Sequence, residues 1–141
     1  MTPTYEVERT IDAPVAVVWA LLTDAASYKE WNDTVISIDG TIAEGEKIIL
    51  KSTVDPDRSF KLSVTDVDAP RSMVWSSGMP LGLFRGKRTY TVMESTPDTV
   101  AFSMRETYSG PMASMITKAI PDLSESFDQF ADSLKTAAET S

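Results

Sequence analysis

Two charged residues share the apolar faces of two strand-like stretches near the middle of the chain. Between Trp75 and Gly110, apolar residues recur at every second position, and Arg88 and Glu106 each lie on the same face as these residues. One face of a strand normally meets the core, and a buried charge needs a partner or water. An arginine can donate hydrogen bonds to a ligand oxygen, and a glutamate can act as a general base. The pattern therefore indicates a lined cavity and not a dry core.

The pair has a structural interpretation as well as a functional one. On adjacent strands, Arg88 and Glu106 could form a salt bridge inside the sheet or an exposed pair at its rim. Alternatively, they could anchor a ligand carboxylate, hydroxyl or carbonyl, with Arg88 as the donor. We expect the structural role to be the main one, although a bridge that lines a cavity can also bind a ligand.

Aromatic and methionine side chains supply further candidate contacts. Trp75 is expected mainly in core packing, whereas the phenols of Tyr90 and Tyr108 need partners when buried and so favour the cavity. Met112 and Met115 could form a pliable gate or fill gaps in the core, because methionine adapts to irregular shapes. The full set of candidate ligand-binding residues is Trp31, Trp75, Arg88, Tyr90, Met104, Glu106, Tyr108, Met112, Met115 and Phe127.

Composition narrows the possible chemistry. The 141 residues suffice for one domain, 1–141, and no apolar run approaches the length needed to span a bilayer. A net charge of -8 argues against nucleic acid and anionic membranes as partners. No histidine or cysteine is present, which excludes imidazole and thiolate metal sites and Ser-His catalysis. We expect no metal and no cofactor, a monomer or homodimer, and, since no signal peptide is visible, a cytoplasmic location.

The periodicity of apolar residues changes three times along the chain. Helical spacing follows Pro14, with Asp12 as a predicted N-cap, and a second short turn starts at Asp24. A long apolar stripe from Leu123 predicts a C-terminal helix that ends near Glu139, with Pro121 in its first turn; a weaker helical stripe covers 112–119. Period-two alternation predicts seven strands, at 4–11 and near 35–40, 46–53, 59–67, 71–77, 83–94 and 98–108.

This order of elements predicts an α+β fold in which a curved seven-stranded antiparallel sheet wraps around one long C-terminal helix, with two short helices after the first strand. A single helix cannot fill the concavity of seven strands. We therefore expect a cavity of roughly 300 Å³ or more between the sheet and the helix, the size of a typical ligand pocket.

Four sequence blocks carry a resemblance to a known family. They are Val7-x-Arg9-x-Ile11-x-Ala13 with Val17-Val18-Trp19-x-x-Leu22-x-Asp24 and Tyr28-x-x-Trp31-Asn32; Pro70-Arg71-x-Met73-x-Trp75-x-x-Gly78; Gly86-x-Arg88-x-Tyr90-x-Val92; and Glu106-Thr107-Tyr108-Ser109-Gly110, followed by Phe127, Leu134-Lys135 and Glu139. In their order and spacing the chain resembles the START/Bet v 1-like helix-grip superfamily, in particular its bacterial polyketide cyclase/dehydrase-like (SRPBCC) branch. The resemblance implies a deep apolar cavity for small hydrophobic molecules.

Three functions are compatible with these observations. The first is binding of a small hydrophobic or amphipathic ligand, such as a lipid, an aromatic compound or a polyketide-like molecule. The second is a cyclase or dehydratase in which Glu106 is the base and Arg88 or a tyrosine stabilises the enolate. The third is a protein-interaction module such as a chaperone activator. The poverty of catalytic residue types favours the first.

Overall fold

The computed structural model describes residues 3–141 and contains seven strands and four α-helices in that range. The strands are β1 (Tyr5–Ile11), β2 (Val35–Asp39), β3 (Lys47–Ser52), β4 (Ser59–Asp68), β5 (Ser72–Met79), β6 (Phe84–Thr96) and β7 (Thr99–Ser109). The helices are α1 (Val15–Thr23), α2 (Tyr28–Trp31), α3 (Ala113–Thr117) and α4 (Ser124–Glu139), with short 3-10 turns at Ala25–Ser27 and Pro80–Gly82.

All seven strands form one curled antiparallel sheet in the order β1-β7-β6-β5-β4-β3-β2. Strands β2 to β7 are joined in sequence order, and β1 closes the far edge by pairing with β7. The predicted α+β architecture, with two short helices after the first strand and one long C-terminal helix, is confirmed. No helix within residues 3–141 is both long and apolar enough to cross a membrane.

Helix α4 covers the concave face because its apolar residues recur at helical spacing on one side. Phe127, Phe130, Ala131 and Leu134 are buried in the same core as Val7 of β1. This arrangement is the usual solution for a sheet with one face to bury, since the opposite helix face stays polar and solvated.

Polar contacts hold α4 against the edge strand β1. The Arg9 guanidinium donates to Asp132 Oδ1 at 2.9 Å and to Asp128 Oδ1 at 3.1 Å, one helical turn apart. Near the end of β1, the Lys135 ammonium donates to the carbonyl of Thr10 at 2.7 Å. These exposed contacts link α4 to β1 at the edge of the sheet, beside the buried apolar contacts that hold the helix on the concave face.

Two predicted helix starts are wrong. Asp12 does not cap α1; Pro14 occupies the N-cap position, because the residue before a proline is pushed into extended backbone and the helix cannot begin earlier. The Asp12 amide instead donates to Glu139 Oε2 at 2.9 Å. Pro121 lies outside the first turn of α4, which begins at Ser124, whose amide donates to Asp122 Oδ1 at 2.8 Å.

Gly110 brings α3 next to the β5–β6 turn. Its φ of +98° lies in the left-handed region, and a Cβ placed there would lie 2.6 Å from the carbonyl oxygen of Leu83. The same carbonyl accepts a hydrogen bond from the Met112 amide at 2.9 Å. Only glycine permits this close approach, which places the α3 segment over one side of the concave sheet.

Candidate functional site

A cavity of about 520 Å³ lies between the concave face of the sheet and the segment from α3 to α4. Its volume falls within the range of small-molecule sites and agrees with the expectation of roughly 300 Å³ or more. Most of its lining is apolar. The sheet contributes Leu50, Phe60, Leu62, Trp75 and Phe84, and the helical side contributes Ile116, Ile120, Leu123 and Phe130.

Arg88 and Glu106 stand on the sheet wall of this cavity. They are directly opposite each other in the β6–β7 ladder, and Arg88 Nε donates to Glu106 Oε1 at 2.8 Å. Both side chains are mostly buried, with 18% and 14% of their surface exposed. Antiparallel partners on the same face are close enough for such a pair, as the alternation of both strands predicts.

Tyr108 extends the polar cluster along β7. It lies two residues after Glu106, on the same face of the strand, and its hydroxyl donates to Glu106 Oε2. Burial, together with the negative charge of Glu106, raises the pKa of Tyr108 well above its ordinary value, so the phenol stays protonated and remains a donor. Both oxygens of the Glu106 carboxylate therefore already accept a hydrogen bond.

The Arg88 guanidinium is held from the helix side as well. Its central carbon lies 4.8 Å from the centre of the Phe127 ring, in cation–π geometry. Burial disfavours the Arg88 cation, but the facing Glu106 charge outweighs this, and the pKa of the guanidinium is raised above its ordinary value. Within residues 3–141 the one close hydrogen bond of Arg88 is made by Nε, and the Tyr90 hydroxyl lies near enough to help stabilise the guanidinium. The Nη groups therefore keep donors for a ligand.

A second ion pair lies elsewhere on the cavity lining. Arg58 Nε is 3.9 Å from Asp55 Oδ2, and the Arg58 guanidinium lies 5.7 Å from the centre of the Phe60 ring. With Arg88 and Glu106, these are all the charged residues that line the cavity in the described part of the chain. The lining charges therefore cancel in two pairs.

A cluster of aromatic side chains backs one side of the cavity. The rings of Trp75 and Tyr90 have centroids 4.8 Å apart, and Phe130 packs on Tyr90 at 5.9 Å. Within residues 3–141, neither the Trp75 Nε1 nor the buried Tyr90 hydroxyl finds a hydrogen-bond partner. Burial raises the pKa of Tyr90 to about 12, although the nearby positive charge of Arg88 opposes the shift.

Four of the ten residues suggested by the sequence line the cavity together: Trp75, Arg88, Glu106 and Tyr108. The other six do not line it. Tyr90, Met104 and Phe127 are fully packed in the core, and Trp31 packs against Tyr28 and Phe130. Met112 lies outside the lining, and Met115 is 60% exposed on the outer side of α3. Ile116 and Ile120 line this side of the cavity instead.

The part of the lining that comes from β3, β4 and the loop between them was not among the residues expected from the sequence. Leu50, Phe60 and Leu62 face inward there, and Asp55 and Arg58 lie in the loop. The alternation that predicted both strands also marked their inward residues, since Lys51 and Lys61 point outward. That signal could have identified the apolar contacts, but nothing in the sequence indicated that the loop pair would reach the cavity.

The chemistry of this lining suits binding more than proton transfer. Glu106 accepts from two donors that hold it in place, and the chain has no histidine that could relay a proton to or from it. Arg88 retains free donors. In the described residues, no group of three or more acidic side chains is placed to hold a metal ion.

Comparisons with known proteins agree with this geometry. Residues 2–139 match the family described as polyketide cyclase/dehydrase and lipid transport. No curated protein sequence matches the chain significantly. Among solved structures, a START superfamily protein from Mycobacterium smegmatis superposes with a TM-score of 0.72 at 13% identity, over 97% of each chain.

Two enzymes share the fold. The Zhui aromatase/cyclase from Streptomyces sp. R1128 has a TM-score of 0.76 at 12% identity, with 99% of this chain and 94% of the enzyme covered. A truncated norcoclaurine synthase from Thalictrum flavum has a TM-score of 0.67 at 13% identity, with 96% of this chain and 92% of the enzyme covered. At such identities the likeness establishes the fold alone, since one fold hosts many functions.

Proposed function

Because the chain belongs to the polyketide cyclase/dehydrase and lipid transport family, we propose that it binds a small, mainly apolar molecule in the cavity beside Arg88 and Glu106. The observation that carries the proposal is the combination of a cavity of about 520 Å³, a mainly apolar lining and one polar cluster on its wall. Apolar walls supply affinity through burial, and a few placed polar groups orient the ligand.

The residues proposed to contact the ligand are those of the cavity lining. Trp75, Phe60 and Phe130 offer large apolar surfaces, and Arg88 offers hydrogen-bond donors. Tyr90 and Phe127 act indirectly, since they support Trp75 and Arg88 from the core side. Binding of this kind needs neither histidine nor cysteine, the two residue types that the chain lacks.

The test is a ligand screen with a cavity-filling variant. Native mass spectrometry and thermal shift against apolar aromatics, lipids and polyketide-like compounds should find ligands that bind one per chain. Ser77 lies on the cavity lining, so Ser77→Phe should abolish this binding; Ser76→Phe, its neighbour off the lining on the same strand, is the matched control. A screen without any binder, or a ligand that Ser77→Phe binds unchanged, rejects the proposal.

A second candidate is a cyclase or dehydratase that uses the same cavity. The favouring observation is that a carboxylate and a phenol, Glu106 and Tyr108, stand side by side on its wall. An enzyme of this kind would lose turnover in Glu106→Gln, because the amide cannot accept a substrate proton. Unchanged turnover in that variant excludes Glu106 as the base.

A further inference from the structure

We propose that Glu106 sets the charge selectivity of the cavity, so that the ligand is an uncharged molecule whose polar group is a carbonyl oxygen and not a carboxylate. The inference rests on the proposed binding function and deepens it. It assigns Glu106 the role of neutralising Arg88 without occupying all of the arginine's donors.

The charged side chains that line the cavity balance in two pairs. Arg88 is paired with Glu106 at 2.8 Å, and Arg58 is paired with Asp55 at 3.9 Å. Since no other charged side chain among the described residues lines the cavity, its net charge is zero. A carboxylate bound at Arg88 would place two anions beside one cation in a mostly buried site, and like charges there oppose each other strongly.

Hydrogen-bond donors remain unused on the wall near Arg88. Arg88 donates to Glu106 through Nε alone, and its Nη groups make no close hydrogen bond in residues 3–141. The Trp75 Nε1, on the same wall, has no partner in residues 3–141 either, and the Trp75 side chain is almost completely buried. An oxygen that only accepts matches this set, because it satisfies donors and brings no hydrogen that needs an acceptor.

A carbonyl meets both requirements at once. It carries no charge, so the Arg88–Glu106 pair stays balanced, and its two lone pairs can accept from the free Nη donors. A pure hydrocarbon of the same shape would fill the apolar volume but leave these donors unsatisfied, which costs affinity.

Three naphthalenes that differ only in one substituent test the selectivity of the native protein: the acetyl, ethyl and carboxylate compounds, substituted at the same ring position. Titration calorimetry at neutral pH should give an acetyl compound that binds at least about tenfold more tightly than the carboxylate, and severalfold more tightly than the ethyl compound. The inference is overturned if either the carboxylate or the ethyl compound binds as tightly as the acetyl compound.

Glu106→Gln tests the assigned residue. Glutamine keeps the shape and can still accept from Arg88, but it leaves the arginine charge unbalanced. The ratio of carboxylate to acetyl affinity should then rise at least about tenfold. Glu6→Gln is the matched control: it removes the same charge from an exposed pair, Glu6–Arg105, at 3.8 Å, and should leave the ratio unchanged.

The outcomes separate the two proposals. If no naphthalene and no other apolar compound binds, the proposed function fails. If they bind but the ratio is the same in Glu106→Gln and in the native protein, binding stands and the role of Glu106 is wrong. The native affinity series decides the ligand class even where Glu106→Gln does not fold.

Discussion

Arg88 and Glu106 face each other directly across β6 and β7, and Arg88 Nε donates to Glu106 Oε1 at 2.8 Å on the wall of the cavity. Each residue supplies the counter-charge of the other, since either charge alone would be mostly buried and unpaired. Tyr108 and Phe127 complete the surroundings by holding the carboxylate and the guanidinium respectively. The pair is therefore part of the packing and part of the cavity surface at the same time.

Glu106→Leu should destabilise the fold by about 3 kcal/mol, because it leaves the Arg88 charge mostly buried without its partner. The double variant Arg88→Met/Glu106→Leu should recover most of this free energy of unfolding, since no uncompensated charge remains. Urea unfolding of both variants and of the native chain measures the effect. A single variant as stable as the native chain would mean that water solvates Arg88 fully and that the pair is not structural.

Two buried tyrosines should respond differently to loss of the hydroxyl. Tyr28 donates to the carbonyl of Leu22 at 2.5 Å, so Tyr28→Phe should cost about 1–2 kcal/mol of unfolding free energy. The Tyr90 hydroxyl makes no close hydrogen bond among the described residues and lies only near the Arg88 guanidinium, so Tyr90→Phe should change the unfolding free energy by less than about 1 kcal/mol. Both are compared by urea unfolding. A loss of more than about 1 kcal/mol in Tyr90→Phe would reveal a partner for this hydroxyl.

Glu139 should make stability depend on pH on the acid side. Hydrogen bonds from Lys135 and from the Asp12 amide lower its pKa in the folded chain below the ordinary 4.5. The contribution is therefore complete above about pH 4.5 and is lost as the pH falls through the lower, folded-state value. Glu139→Gln should be less stable than the native chain near neutral pH, and the difference should shrink in acid.

Unfolding free energies of both proteins, measured from about pH 7 to about pH 3, give this comparison. Lys135→Met serves as the reference background, because it removes the 2.7 Å contact to Glu139 and should reduce the effect of Glu139→Gln. A difference between Glu139→Gln and the native chain that stays constant with pH would contradict the linkage.

Local patterns were sufficient for the elements and for part of the site. Alternation on β6 and β7 identified Arg88, Glu106 and Tyr108 as inward-facing, and their pairing follows from the register of adjacent strands. The same patterns misplaced the first helix start, because the backbone restriction before Pro14 overrode the capping preference of Asp12. They also could not separate Trp75, which reaches the cavity, from Tyr90, which has the same inward orientation.

The sequence by itself determined the order of elements and the inward face of each strand, because periods of two and 3.6 residues are local properties of the chain. The family followed from the resemblance of its sequence blocks and from the match over residues 2–139. Only the tertiary structure decided which inward residues meet empty space. That depends on where α4 lies, because Phe130 of this helix covers Tyr90 and Phe127 packs on Arg88. The Gly110 turn places Ile116 and Ile120 opposite the sheet. A cavity is the volume left between packed elements, and no local pattern encodes it.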